Sequence, residues 1–287
     1  MILITGATGG AGSMVVRELH RRGAKDVRAL VRDPGHASAV RDAGFEAVKG
    51  DFDRPETLGP ALEGVETALL LTPPTPQTVE HGRAFVEAAR SAGVRRVVKL
   101  SALGADPDAP EGFGRWHGLS EEHLKSSGLA WTMLRPNFFM QNVLGLVEQI
   151  ATTDKFSQPV GDARASFIHL QDVAAVAARV LTEDGHEGQT YTLTGPEALS
   201  YADVAARLSE ALGRSIAYVP VTPEQFRAGA LAAGRPEWLD SALERLNEIF
   251  AAGLAAAVTD DVSRVAGSEP TTFAEFARRN ASAFRND

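Results

Sequence analysis

The chain has no cysteine among its 287 residues. That excludes disulfides and thiolate nucleophiles and suits a reducing, cytoplasmic setting. It also lacks an excess of positive charge: 29 Lys and Arg stand against 37 Asp and Glu, a formal net charge of −8. A nucleic-acid partner would require a basic stripe. No apolar run approaches the roughly 20 residues of a membrane span, and no Gly/Ser linker, internal repeat or low-complexity tract interrupts the chain. A signal or transit peptide is not expected, because the sequence opens on MILIT, already the pattern of a buried strand. What remains is a globular protein, 44% hydrophobic and 23% charged, long enough for one large domain or a domain with a smaller partner.

Through the first half, short β-rich apolar runs alternate with longer amphipathic segments. MILIT (1–5), VRALV (27–31), EAVKG (46–50), TALLLT (67–72), RVVKLS (96–101) and WTMLRP (131–136) read as strands. They are near-continuous apolar runs, as expected where both sheet faces are covered. Repeated β-then-α order predicts a doubly wound parallel α/β sheet with right-handed crossovers. After about residue 150 the rhythm changes. The helices DVAAVAARVLTED, SYADVAARLSEALG and one beginning at Thr222 alternate with the strands QTYTLTG and IAYVPV. The expected organisation is residues 1–150 as a nucleotide-binding domain and 151–287 as a smaller α+β domain forming the substrate cleft, with no linker between them. Capping boxes are expected at Asp53/Glu56, Thr222/Gln225 and Thr272/Glu275, and a cap at Asp172. Gly23, Gly44, Gly93 and Gly128 stand where helices should stop.

The strongest chemical signal is TGATGGAG, residues 5–12, between the first strand and the first helix. Gly6, Gly9 and Gly12 let the chain turn sharply, let backbone approach a pyrophosphate, and let the helix pack close to the sheet. The helix N-terminus then offers free N–H groups and a partial positive charge to phosphates. The second strand ends in LVRDP. An NAD-selective site wants a carboxylate at that point, whereas Arg32 suits a 2′-phosphate; the plainer reading is an exposed arginine with Asp33 as a helix cap. GDFD (50–53) follows the third strand, where Asp51 can accept from an adenine amino group with Phe52 against the ring, or both aspartates can serve as caps. TPPTP (72–76), after the fourth strand, lies on the carboxyl edge where such folds bind ligands.

TGATG, VRDP, GDFD, LRPNFFMQN (134–142) and SFIHLQDVAAVAARVL together resemble the NmrA-like atypical short-chain dehydrogenase/reductase family, over nearly the whole chain. The resemblance implies an NADP(H)-binding Rossmann domain with a smaller C-terminal domain. It implies a cofactor set of Gly6, Thr8, Gly9, Gly10, Ala11 and Gly12 on the pyrophosphate side, Arg32 at the 2′-phosphate, and Asp51 and Phe52 near adenine. Thr72 and Pro73 would line the middle of the dinucleotide. Ser101, Pro136, Asn137, Phe138 and Phe139 would approach the nicotinamide. Family members include quinone reductases, related small-molecule reductases, and regulators that bind NADP without known turnover.

Active short-chain dehydrogenases use a tyrosine and a lysine four residues later. The three tyrosines here, Tyr191, Tyr201 and Tyr218, lie beyond the first half, and none has lysine at that position. The corresponding helix, RWHGLSEEHLKSSG (115–128), carries His117 and Glu121 at that spacing instead. Sharing a helix face, Glu121 would raise the His117 pKa and leave the imidazole a weak general acid; the plainer reading is an exposed pair worth at most about 0.5 kcal/mol. His117 and His123 point to different faces, so no helical metal site is expected. Trp116, Phe138, Phe139 and Met140 would wall an apolar pocket or simply belong to the core. Lys99 stands inside the apolar fifth strand, an unusual place for charge, and carries no expected catalytic role. The expected function is NADPH-dependent hydride transfer to a small planar, apolar or aromatic electrophile such as a quinone, with His117 as candidate proton donor. The alternative is a non-catalytic NADP(H) sensor acting through a protein partner. Sequence reading leaves the oligomeric state open.

Overall fold

The computed structural model describes residues 1–232 and 234–285. Its elements begin β1 (Ile2–Ile4), α1 (Gly10–Arg21), β2 (Val27–Val31), α2 (Ser38–Asp42), β3 (Glu46–Lys49), α3 (Leu58–Leu62), β4 (Thr67–Leu70), α4 (Thr78–Ser91), β5 (Arg96–Leu100), α5 (Phe113–Ser126) and β6 (Ala130–Pro136). They continue with α6 (Val147–Thr153), β7 (Lys155–Gln158), β8 (Arg164–Ala165), α7 (Leu170–Thr182), β9 (Gln189–Leu193), β10 (Leu199–Ser200), α8 (Tyr201–Leu212) and β11 (Ala217–Pro220). The last helices are α9 (Pro223–Ala232), α10 (Glu237–Ala251), α11 (Asp261–Ala266) and α12 (Phe273–Arg279).

Contacts divide the chain into two units, Met1–Pro136 with Leu170–Thr192 and Asn137–His169 with Leu193–Asp287. The expected cut after residue 150 is therefore replaced by an exchange. Residues 170–192 join the first unit because α7 packs on α1 and β9 extends the sheet beyond β6.

The first unit holds a seven-stranded sheet in the order β3-β2-β1-β4-β5-β6-β9. β1 to β6 pair in parallel. Its strands were legible because their residues are covered on both faces: Leu3, Ala68, Leu70, Val97, Val98, Met133 and Leu134 are all fully buried. The order reverses between β1 and β4, the switch point at whose carboxyl ends doubly wound sheets bind ligands. The expected glycine stops are realised, since Gly23, Gly44, Gly93 and Gly128 all have positive φ.

The second unit is built from two small strand pairs, β7 with β11 in parallel and β8 with β10 antiparallel. Its core is aromatic: Phe138, Phe156, Phe167, Tyr201, Phe250 and Phe273 meet with ring centroids 4.9–6.3 Å apart. Ser200 and Thr272 form capping boxes with Asp203 and Glu275, and Thr222 exchanges bonds with Gln225. The box expected at Asp53 does not form. There the turn begins after Arg54, which has no side-chain cap, and Asp53 instead accepts from His81 Nε2 at 2.9 Å. Asp172, expected as a cap, stands in the first turn of α7, which begins at Leu170.

Candidate functional site

The glycine turn is built at the switch point. The Thr5 hydroxyl accepts from the Leu71 N–H at 2.7 Å and reaches the Leu69 and Leu71 carbonyls at 3.1 and 3.0 Å, tying the end of β1 to β4. Gly6 then takes φ +63°, a left-handed conformation that glycine adopts without a steric penalty. Gly9 closes the turn by donating to the Gly6 carbonyl at 2.9 Å. A Cβ on Gly12 would stand 2.1 Å from that same carbonyl oxygen, so only glycine lets α1 approach the turn. Gly9 caps α1 without a side-chain bond, which leaves the N–H groups of Gly10, Ala11 and Gly12 for another acceptor. Thr8 is exposed beside them.

The other expected cofactor residues of this unit lie at the carboxyl ends of neighbouring strands. Arg32, after β2, is exposed, and its guanidinium has no side-chain partner among the described residues, while Asp33 accepts from Gly35 N–H at 2.8 Å as the expected cap. Asp51 spends one carboxylate oxygen on the Asp53 N–H at 3.1 Å. Phe52 stacks on His81 with centroids 5.5 Å apart, which commits one ring face to the protein. Thr72 follows β4, with Pro73 exposed after it. The Thr72 hydroxyl is buried with no hydrogen-bond partner, an unusual state for a polar atom. A free helix N-terminus, an orphaned hydroxyl and an unpaired arginine along one sheet edge suit a nucleotide with two bridging phosphates and a third phosphate near β2. The residues present fit a bound NADP(H).

The remaining expectations divide. Pro136 ends β6 in the first unit, whereas Asn137, Phe138 and Phe139 open the second. The Asn137 amide is used there, donating to Ser166 Oγ at 2.7 Å and the Ala255 carbonyl at 2.8 Å. Phe138 packs edge-on to Phe250. Trp116 and Met140 are core residues, 4% and 0% exposed.

The α5 stretch is built differently from the expected helix pair. Gly118 carries α5 against the preceding loop, where a Cβ would meet the Asp106 carbonyl carbon at 2.2 Å; this close seating fixes where His117 and Glu121 stand. Glu121 is 1% exposed. Arg135 from β6 grips it with bonds of 2.9 and 2.6 Å, Ser101 donates to it at 2.6 Å, and Lys125 approaches to 3.4 Å. Burial pushes the Glu121 carboxyl up, but the bonds from Arg135 and Ser101 and the nearby cations more than reverse this, leaving it below its ordinary value. Ser101, expected beside a nicotinamide, has its hydroxyl committed to Glu121.

Glu121 therefore does not orient His117. That task falls to Lys99, whose Nζ stands 3.4 Å from His117 Nδ1. Lys99 is completely buried, with Leu70 and Met133 beside it on β4 and β6. Burial, opposed by the Glu121 charge, pushes its ammonium down to about 8. Burial and then the Lys99 charge hold His117 well below its usual value, the reverse of the expected upward shift. A charged lysine inside an apolar strand was the visible anomaly. Its partner was not visible, because a strand period of two (Lys99, Ser101) meets a helix period of four (His117, Glu121) only in the fold.

This arrangement predicts a stability cost. The unfolded chain binds more protons than the fold between pH 8 and the ordinary lysine value, so stability rises with pH across that window. Below it the ammonium is retained in the fold at a cost of up to about 3 kcal/mol. Lys99→Met is expected to raise the unfolding free energy at pH 7 by about 1–3 kcal/mol, and to lose the gain by pH 11, in chemical denaturation.

A family model described as NAD(P)H-binding matches residues 6–184. The chain is 42% identical to the NAD(P)H azoreductase of Xenophilus azovorans over 99% of both chains. Its fold superposes on the NADPH-dependent quinone oxidoreductase of Escherichia coli in complex with NADPH with a TM-score of 0.90 at 31% identity, covering 97% of this chain and 99% of that one. The Citrobacter sp. triphenylmethane reductase in complex with NADP(H) is similar with a TM-score of 0.88 at 27% identity, covering 98% of this chain and all of that one.

Proposed function

The chain belongs to this NAD(P)H-binding, NmrA-like family and is an NAD(P)H-dependent oxidoreductase; from that premise we propose that it uses NADPH to reduce small planar electrophiles of the azo and quinone classes. The observation that carries the cofactor half is the Gly6–Gly12 turn, which opens an uncapped helix at the switch point. Similarity to an azoreductase and a quinone reductase supports the substrate half.

The cofactor supplies the hydride. Gly10, Ala11 and Gly12 would hold its bridging phosphates through backbone N–H groups, and Arg32 would hold the 2′-phosphate. His117 supplies a proton to the reduced substrate. The alternative of a sensor without turnover loses its main support. Where the tyrosine–lysine dyad is missing, Lys99 and His117 bring two titratable groups within 3.4 Å of each other.

NADPH oxidation in the presence of an azo dye panel and a quinone panel tests the reading. Tight NADPH binding without acceleration by any member would sink the substrate assignment. Arg32→Ala is expected to weaken NADPH binding by about 10- to 100-fold, the worth of a charge-assisted phosphate contact, and to leave NADH binding unchanged. Equal losses for both nucleotides in a fluorescence titration would remove Arg32 from the phosphate.

A further inference from the structure

We propose that Lys99 and His117 form a proton relay, in which Lys99 acts as the positioning residue and proton reservoir for His117. This rests on the reductase reading above. A lysine ammonium has three donors and no acceptor, so a charged Lys99 requires His117 Nδ1 to accept. That fixes the neutral ring as the tautomer with its proton on Nε2. The Nε2 atom has no protein partner among the described residues, and the ring is partly exposed, so this N–H is free to donate outward.

The step balances without another reactant. After hydride addition the substrate carries an electron pair and a negative charge on the atom next to the new bond. That atom takes the Nε2 proton of His117, and Nδ1 takes a proton from the Lys99 ammonium in the same passage. The imidazole ends neutral as the other tautomer, Lys99 ends as a neutral amine, and solvent later returns one proton. A lone neutral imidazole could not do this, since it would be left as an imidazolate.

The environment keeps the pair in its starting state. The cross-strand neighbours of Lys99 are apolar, and the charged groups around Glu121 and on α4 have other partners. β4 and β6 present Leu70 and Met133, and Arg135 and Lys125 are turned onto Glu121. His81 of α4 is turned onto Asp53. Glu121 is the one charge of α5 that acts on the ammonium, and it favours the protonated form. Near neutral pH the pair is therefore charged lysine and neutral histidine, and above about pH 8 the lysine proton is lost.

The relay matters in proportion to the basicity of the anion it quenches. Hydride addition to an azo bond leaves a nitrogen anion that is a strong base, whereas addition to a quinone leaves a phenoxide, a far weaker base (parent acid near pKa ~10) that forms without a positioned acid and is then protonated by water. Lys99→Met, of similar length and apolar, is expected to lower turnover of the azo dye methyl red by about 100-fold, the low end of general-acid effects. Turnover of 1,4-naphthoquinone is expected to fall less than about 5-fold, with the NADPH dissociation constant unchanged. In the parent protein, methyl red turnover falls as pH rises past about 8, and in the variant that alkaline limb is missing. The nitrogen chemical shifts of His117 in the protein without nucleotide provide a readout independent of turnover. They are expected to show Nδ1 bare and Nε2 protonated at pH 7, and a mixture of tautomers in the variant. Undiminished methyl red turnover in Lys99→Met, or unchanged His117 shifts, would overturn the relay. If the parent reduces neither probe, the substrate assignment fails instead, and the tautomer measurement alone decides the pairing.

Discussion

Gly12→Ala is expected to abolish useful nucleotide binding. The new methyl carbon would stand 2.1 Å from the Gly6 carbonyl oxygen, 2.6 Å from its carbon and 3.0 Å from the Ala7 nitrogen. All three are backbone atoms, and they are held in place because Thr5 is bonded to β4 and Gly9 to Gly6. No flexible side chain can give way, so α1 must move away from the turn by more than an ångström. Overpacking of this kind costs about 3 kcal/mol. The same shift misaligns the Gly10, Ala11 and Gly12 N–H groups, so NADPH affinity should fall by roughly 100-fold or more. Calorimetric titration with NADPH measures it, and an affinity within threefold of the parent would show that the turn does not hold the phosphates. Gly9→Ala is the matched control. Its Cβ would meet one oxygen at 3.3 Å, and a much smaller loss is expected.

Glu121→Leu is expected to be the most destabilising single change in the first unit. The carboxylate it removes is 1% exposed and accepts four hydrogen bonds, two from Arg135, one from Ser101 and one from Lys125. Its loss leaves the Arg135 guanidinium, about one quarter exposed, without its counter-charge, and the Ser101 hydroxyl without its acceptor. Breaking a buried pair by deleting one partner costs about 3–5 kcal/mol. For a protein of this size that corresponds to a fall in Tm of about 10 °C. Glu121→Leu combined with Arg135→Leu should recover much of the loss, because no charge is then stranded. A double variant as unstable as the single would show that the glutamate acts through something other than this ion pair. The pH dependence has a definite sign. The Glu121 carboxyl is held below its ordinary value, so its contribution is complete above the unfolded carboxylate range and is lost as pH falls through the folded value. In Glu121→Leu the acid limb of the stability profile should be shallower.

These cases show which features a sequence carries and which it hides. β2, Val27–Val31, falls on the run VRALV to the residue, because a strand covered on both faces must be apolar along its whole length. The glycine turn was equally legible, since its constraint is local: Gly6 and Gly12 are six residues apart in one chain segment. The acidic and basic pairs were not legible. His117 and Glu121 share a helix face as their spacing requires, yet neither takes the other as partner. Arg135 captures the glutamate from a neighbouring strand and Lys99 meets the histidine from another. Asp53 followed the same rule when His81, 28 residues away, took its carboxylate from the expected cap. In the second unit β8 and β10 escaped reading because each is two residues long, and β7 because its run KFSQ holds a single apolar residue. Helix α10, 15 residues long, was also passed over, though its amphipathic pattern is clear.

The exchange of residues 170–192 into the first unit also shapes how the chain folds as it is made. When Pro136 leaves the ribosome, six of the seven sheet strands are available, but β6 has an open edge and α1 has an uncovered flank. The later of the segments that close them, β9, ends 57 residues after Pro136. At about 5–20 residues per second the wait is roughly 3 to 11 s. For that time the nascent sheet presents unpaired backbone beside the uncovered face of an amphipathic helix, the kind of surface that chaperones bind and that neighbouring chains on a polysome can pair with.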